Sequence, residues 1–271
     1  LQPIEIAEQD DILKPMISRY SYHGLTWIDL ESPTREEILH IGEEYSLPKT
    51  TQEGLFSPTT ASNILASDAS IYLVLHFPIE VDFVIGKNSI ITVHYEKCEA
   101  IQDCATMFEH AEKVDQQKSI ANSGLLFLEI IKHLYSVSLK QLHDSAHRTG
   151  QIEHALYKNK EQDVLTMISN AMHPLLDLKQ AIAFHIAVVD SYKITSARLF
   201  GESYDYAGAL IATETQKIYT LIQIQCDKLT MLQETNTAMI RIAAVKNLRY
   251  ITSILYGIGF IVLIIICRII F

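Results

Sequence analysis

The hydrophobic pattern changes character about a third of the way along the chain. Before residue 100, apolar residues come in short runs rich in β-branched and aromatic side chains: "LTWIDL" at 25–30, "SIYLVLHF" at 70–77, "EVDFVIG" at 80–86 and "SIITVHY" at 89–95. Such runs predict strands, and "GKN" between the last two predicts a tight hairpin. The segment "SPTREEILHIGEEYSL" predicts a helix instead. Thr34 stands as its N-cap with Glu37 three residues on, a capping box in which each side chain takes an otherwise orphaned backbone N–H.

From about Ala105 the strand signal stops, and apolar residues recur at helical spacing, as in "LLFLEIIKHLYSVSLKQL". Pro174, Gly124, Gly150 and Gly201 are the interruptions before Gly208. From Tyr204 to Phe271 there is no proline, and Gly208 is the only glycine before the apolar tail. A helix of that length extends on the order of 100 Å, more than a small domain can cover. The expected fold class is therefore an α/β N-terminal cytoplasmic domain, a small mixed sheet with helices, followed by a long helical stalk or hairpin and a C-terminal transmembrane helix. The boundaries expected are 1–100 for the α/β domain, 101–203 for the helical hairpin, 204–249 for the stalk and 250–271 for the membrane helix.

The membrane assignment rests on "FIVLIIIC", apolar on every face, within an uncharged run from Tyr250 to Cys267. That run is close to the lower limit of about 17–25 residues for a spanning helix. Arg268 near its far end is placed to snorkel to the headgroups. Arg241, Lys246 and Arg249 just before it put the N-terminal part in the cytoplasm by the positive-inside rule, with the helix in the cell (inner) membrane.

Composition narrows the function. With 48% hydrophobic and 20% charged residues the chain is expected to fold. A net charge of −10 argues against a nucleic-acid partner, because phosphates demand clustered Lys and Arg, but not against metal cations. The cysteines at 98, 104, 226 and 267 form no C-x-x-C pair, so neither a zinc knuckle nor a disulfide scaffold is expected. No charged n-region followed by an apolar h-region marks a signal peptide. A phosphate loop, a nucleophile elbow and H-E-x-x-H are all missing, so no enzyme and no organic cofactor is expected. His143, His147 and His154 fall on one helical stripe beside Asp144, and two histidines four apart can share Zn²⁺, which makes them a candidate zinc stripe.

In order and spacing, "WIDLESPTREEILHIGEEYSLP", "IYLVLHFP", "EVDFVIGKNSIITVHY" and "LQETNTAMI" leading into the apolar tail resemble the CorA family of magnesium and divalent-cation transporters. The resemblance implies a homopentamer, with Mg²⁺ as both transported and regulatory ion and the lipid bilayer as its setting. It also implies acidic residues across subunit contacts that sense cytosolic Mg²⁺, whose loss leaves like charges facing one another. Those positions fall on Gln52 and Glu53, so one carboxylate is missing, and on Glu202 and Asp205 at the start of the stalk.

The resemblance likewise implies a pore lined by Val245, Leu248, Ile251, Thr252 and Gly259. Leu248 and Ile251 would form an apolar constriction that gates by dewetting. The family's Gly-Met-Asn signature has a loose echo in "YGIGF" at 256–260, but the register is set by Leu248, Arg249, Ile251 and Thr252. It puts the signature position at Ile269, Ile270 and Phe271. Gly257 and Gly259 then read as small residues for close helix approach. Val245 stands where the family has a neck asparagine, with Asn247 the nearest amide.

Two functions follow. One is a transporter of Mg²⁺ or another divalent cation such as Co²⁺, Ni²⁺ or Zn²⁺, with its remaining segments beyond residue 271. The other is a nonconducting, membrane-anchored cation-sensing or modulatory subunit, or a decayed paralogue.

Overall fold

The computed structural model describes residues 16–22, 24–59, 62–77, 79–114, 122–158 and 161–270. Six strands form one mixed sheet: β1 (Met16–Tyr22), β2 (Leu25–Glu31), β3 (Asn63–Ala66), β4 (Ser70–His76), β5 (Glu80–Gly86) and β6 (Ser89–His94). Their order across the sheet is β1-β2-β6-β5-β4-β3. Among the described residues only β2 and β6 pair in parallel, and the connection between them carries α1 (Arg35–Glu44), α2 (Lys49–Gly54) and the β3–β4–β5 meander. The expected strands are present, and the "GKN" hairpin joins antiparallel β5 and β6. The edge strands β1 and β3, and α2, are additions to the sequence expectation.

Alternation along the strands sorts the core onto two faces. On one, Ile28, Leu30, Tyr72, Val74, Val84, Ile91 and Val93 pack with Ile38 and Ile41 of α1 and with Leu47 and Leu55 around α2. The capping box starts α1 as expected: Glu37 N–H donates to Thr34 Oγ1 at 3.3 Å, and Thr34 N–H donates to Glu37 Oε2 at 2.8 Å. The other face takes the long helices α3 (Glu99–Val114), α4 (Ser123–Tyr157) and α5 (Glu161–Phe200). Here Trp27 meets Phe108 edge-on at 5.9 Å, and Phe83, Phe127 and Tyr192 pack edge-to-face in series at centroid distances of 5.0 and 4.9 Å.

The helices run through two of the expected interruptions, since Gly150 lies inside α4 and Pro174 inside α5. Gly201 does break the chain: its φ of +100° is a left-handed conformation that glycine adopts without steric cost, and it closes α5. The last helix, α6 (Ser203–Ile270), is unbroken over 68 residues. Its many threonines are poor helix formers, but each spends its hydroxyl on the carbonyl four residues back, as in Thr213 to Ala209 and Thr252 to Leu248 at 2.8 Å. Gly208 lets α5 come close, because a Cβ there would stand 2.9 Å from Lys193 Cα.

Two compact units emerge. The first comprises residues 1–142 and 177–222, holding the sheet; the second comprises 143–176 and 223–271. Inside the second, Ile152, Leu156, Val164, Ile168, Leu175 and Leu229 are buried, and Gln225 Nε2 donates to Thr149 Oγ1 at 2.6 Å.

Candidate functional site

The carboxylates expected to sense metal are all exposed. Glu53 sits on α2, Glu202 in the turn before α6, and Asp205 in the first turn of α6. The turn brings the last two together, Asp205 N–H donating to the Glu202 carbonyl at 3.1 Å. Asp205 also lies where an α-helix concentrates partial positive charge, a favourable place for an acidic side chain. Gln52, in place of an expected acid, is structural: its Nε2 donates to the Leu47 carbonyl at 2.8 Å, and its side chain fills the space a Cβ on Gly42 would need.

In the single chain, no group of three or more His, Cys, Asp or Glu side chains gathers to hold a metal among the described residues. His143, His147 and His154 are exposed along α4 and belong to no such group.

The expected pore-lining positions all lie on α6 and are exposed. Val245, Leu248 and Thr252 line one shallow face with Arg249, Ser253 and Tyr256. At about 100° per residue, Gly259 falls on the same stripe, whereas Ile251 sits roughly 120° away from Val245. A Cβ at Gly257 or Gly259 would meet nothing within 4 Å, so both backbones are open to approach. From Ile251 to Val262, and again over Ile264–Ile266, every residue whose side chain is described is exposed. This end of α6 is one candidate membrane span, with a mean hydropathy of 2.0 and none of its window buried. The signature position at Ile269 and Ile270 falls at the end of α6, and Phe271 lies outside the described residues.

Three buried polar clusters in the first unit escaped the sequence reading. In the first, His185 is fully buried and ties β4 to three helices. The His76 backbone N–H donates to His185 Nε2 at 3.0 Å, so Nε2 carries no proton and Nδ1 must carry it. Nδ1–H then donates to Tyr135 Oη at 3.2 Å, Tyr135 to Thr215 Oγ1 at 2.9 Å, and Thr215 to the Ile211 carbonyl at 2.8 Å. This chain has one direction and spans α5, α4 and α6. Burial pushes the imidazole down to about 3, which keeps it neutral.

In the second cluster, His94 Nδ1 faces the Glu96 carbonyl at 2.6 Å and Nε2 faces Asp29 Oδ2 at 3.3 Å. Both partners are acceptors when Asp29 is ionised, an arrangement that suits a doubly protonated ring. Burial lowers its pKa, but the Asp29 carboxylate and the Glu96 carbonyl outweigh that and raise it overall. Its contribution to stability is complete below about 6.5, the unfolded value, and is lost as pH rises through the raised value.

In the third, Asp82 lies fully buried on the α1–α2 face of β5. Tyr72 Oη donates to its Oδ2 at 3.1 Å, and Tyr95 Oη stands 3.3 Å from the same atom. Desolvation, followed by the nearby Glu80 carboxylate, pushes Asp82 up to about 8.

The sequence family described as "CorA-like Mg2+ transporter protein" matches residues 22–255. The chain belongs to this family. No curated protein matches its sequence. The fold is similar to the complete CorA magnesium transporter of Methanocaldococcus jannaschii, with a TM-score of 0.72 at 13% identity, covering 87% of this chain and 80% of that one. Similar too are the full-length CmaX protein (TM-score 0.67, 12% identity, 83% of this chain and 71% of that one) and the ZntB cytoplasmic domain of Vibrio parahaemolyticus (0.59, 13%, 81% and 89%). CorA-like proteins are membrane-embedded transporters with a cytoplasmic domain, and among the described residues this chain has one candidate apolar span, at the end of α6.

Proposed function

We propose that this chain is a subunit of a homopentameric divalent-cation channel or transporter in the cell (inner) membrane. Mg²⁺ is both its transported and its regulatory ion, and no enzymatic activity is involved. The observation that carries this reading is the family match from 22 to 255, which takes in both the α2 region and α6 as far as Leu255. Glu53, Glu202 and Asp205 serve as regulatory ligands between subunits. Mg²⁺ keeps much of its water and favours carboxylate oxygens, and exposed acids on separate elements suit a hydrated ion shared between copies. When the ion leaves, unscreened carboxylates repel and the closed assembly loosens. Val245, Leu248, Thr252 and Gly259 face the pore, and Ile251 contributes to the constriction only if α6 rotates.

Mg²⁺ flux into proteoliposomes tests conduction. The expected result is uptake that follows the gradient, and no flux at any membrane potential would sink the reading. Replacing Asp205 with Asn should weaken the protection that Mg²⁺ gives against proteolysis by severalfold; unchanged protection would remove Asp205 from the site.

The second reading, a nonconducting cation-sensing subunit, is favoured by Val245 at the neck position and by Ile269, Ile270 and Phe271 at the signature position. It expects the Asp205 effect without flux.

A further inference from the structure

Beneath α2 the structure holds one hydrogen that two acceptors contest. Tyr95 Oη stands 3.1 Å from the Leu55 carbonyl and 3.3 Å from Asp82 Oδ2, and its single proton can serve only one of them fully. Leu55 is the C-cap of α2, so its carbonyl belongs to the helix end that most needs a donor. Asp82 is fully buried, and its Oδ1 has no hydrogen-bond partner among the described residues.

The titratable groups facing Asp82 are Tyr72 from β4, Tyr95 just after β6, and Glu80 on its own strand. Glu80 is in turn engaged by His76 of β4 at 3.0 Å and by Thr59 N–H at 2.7 Å. Burial pushes both phenols up, so they remain donors. Oδ1 meets no donor, and burial beside Glu80 disfavours a charge on Asp82, so this pocket favours the neutral acid.

We propose that Asp82 is a proton-operated clasp for α2: neutral, it leaves the Tyr95 hydroxyl on the Leu55 carbonyl, and ionised, it takes that hydrogen and releases the end of the helix. The direction follows from strength, because a hydrogen bond to a carboxylate is roughly twice as strong as one to a neutral carbonyl. Tyr72 reinforces the coupling, since its Oη stands 2.9 Å from where a Cβ on Gly54 would be, directly under α2. Ionisation of Asp82 thus reaches α2 through two phenols. The raised value of about 8 places the switch near physiological pH.

The clasp stands on the fold of the first unit alone. Its consequence, that protons loosen or tighten the helix bearing Glu53 and so tune cation sensing, rests on the assignment of Glu53 proposed above. Acidification would hold α2 in place and alkalinisation would free it.

Hydrogen exchange of the segment 49–56, followed on the full chain in detergent with chelator and corrected for intrinsic exchange, tests the clasp between pH 6 and 9. Wild-type protection should fall by up to about tenfold per pH unit toward pH 8 and level off above it. Asp82→Asn, which stays neutral, should show no such slope. Tyr95→Phe, which removes the contested hydrogen, should show low protection at every pH and no slope, and it keeps the test alive should Asp82→Asn fail to fold. A flat wild-type profile, or the wild-type slope persisting in either variant, would overturn the proposal.

A second arm adds Mg²⁺ at pH 6. Protection gained by the wild type and not by Glu53→Gln links the clasp to cation sensing. A pH slope intact in chelator with no Mg²⁺ effect sinks the assignment of Glu53 and leaves the clasp standing.

Discussion

Replacing His185 by alanine should cost about 3–5 kcal/mol in urea unfolding at pH 7, a large part of the 5–15 kcal/mol typical of a whole domain. Two losses add. The ring is fully buried against Phe77, with centroids 5.0 Å apart, and its removal leaves a cavity. The His76 N–H is also left without its acceptor, the kind of buried vacancy that costs about 1–3 kcal/mol.

A pH signature separates this from ordinary core truncation. His185 has a depressed folded value of about 3, so its contribution is complete above about 6.5 and is lost as pH falls toward 3. Asp82 works in the opposite sense: raised to about 8, its contribution is complete below about 4 and is lost as pH rises through 8. Between about 4 and 6.5 the two slopes oppose each other. His185→Ala should therefore uncover a stability that falls with pH across that range, measured as urea midpoints at half-unit steps. A variant that is merely less stable, with the wild-type pH profile, would mean that His185 is not the neutral acceptor the hydrogen bonds require.

These two residues mark the limit of what the sequence could show. In "EVDFVIG", alternation puts Glu80, Asp82 and Val84 on one face and Val81, Phe83 and Ile85 on the other, so Asp82 reads as solvent-facing. Only the packing of α1 and α2 over that face buries it. His185 sits in "AIAFHIAVVD", an unremarkable helical stretch, and its partners lie 109 and 50 residues away. Nothing local announces either.

What local chemistry dictates was legible: the capping box of α1, the β5–β6 hairpin and the unbroken α6. The edge strands were not, because β3 is four residues long and largely exposed, and so lacks the apolar run that marks a central strand. Pro174 stayed inside α5 although proline usually ends a helix, because packing over 40 residues outweighs one lost hydrogen bond. The candidate regulatory acids were legible only through family resemblance. As exposed side chains on separate elements, they are indistinguishable within one chain from solvated surface.

Placing arginine at both Ile258 and Ile261 should move the protein out of the carbonate-resistant membrane fraction. The two positions lie near the middle of the uncharged run from 250 to 267 and are 54% and 57% exposed. At the centre of a spanning helix each arginine costs about 2.5–3.5 kcal/mol on an insertion scale, so the pair opposes insertion by about 5–7 kcal/mol, more than a thousandfold. The same substitutions distinguish the environments by sign. Were this end of α6 bathed in water, replacing exposed isoleucines by arginine would change stability by less than about 0.5 kcal/mol and would improve solubility. In lipid those exposed side chains are the ones that meet hydrocarbon, and the change is prohibitive. A paired Ile→Leu variant at both positions keeps the apolar surface and should stay in the membrane. Full retention of the arginine pair in that fraction would mean that the span lies elsewhere, and with it the placement of Val245, Leu248 and Thr252 at a pore would fall.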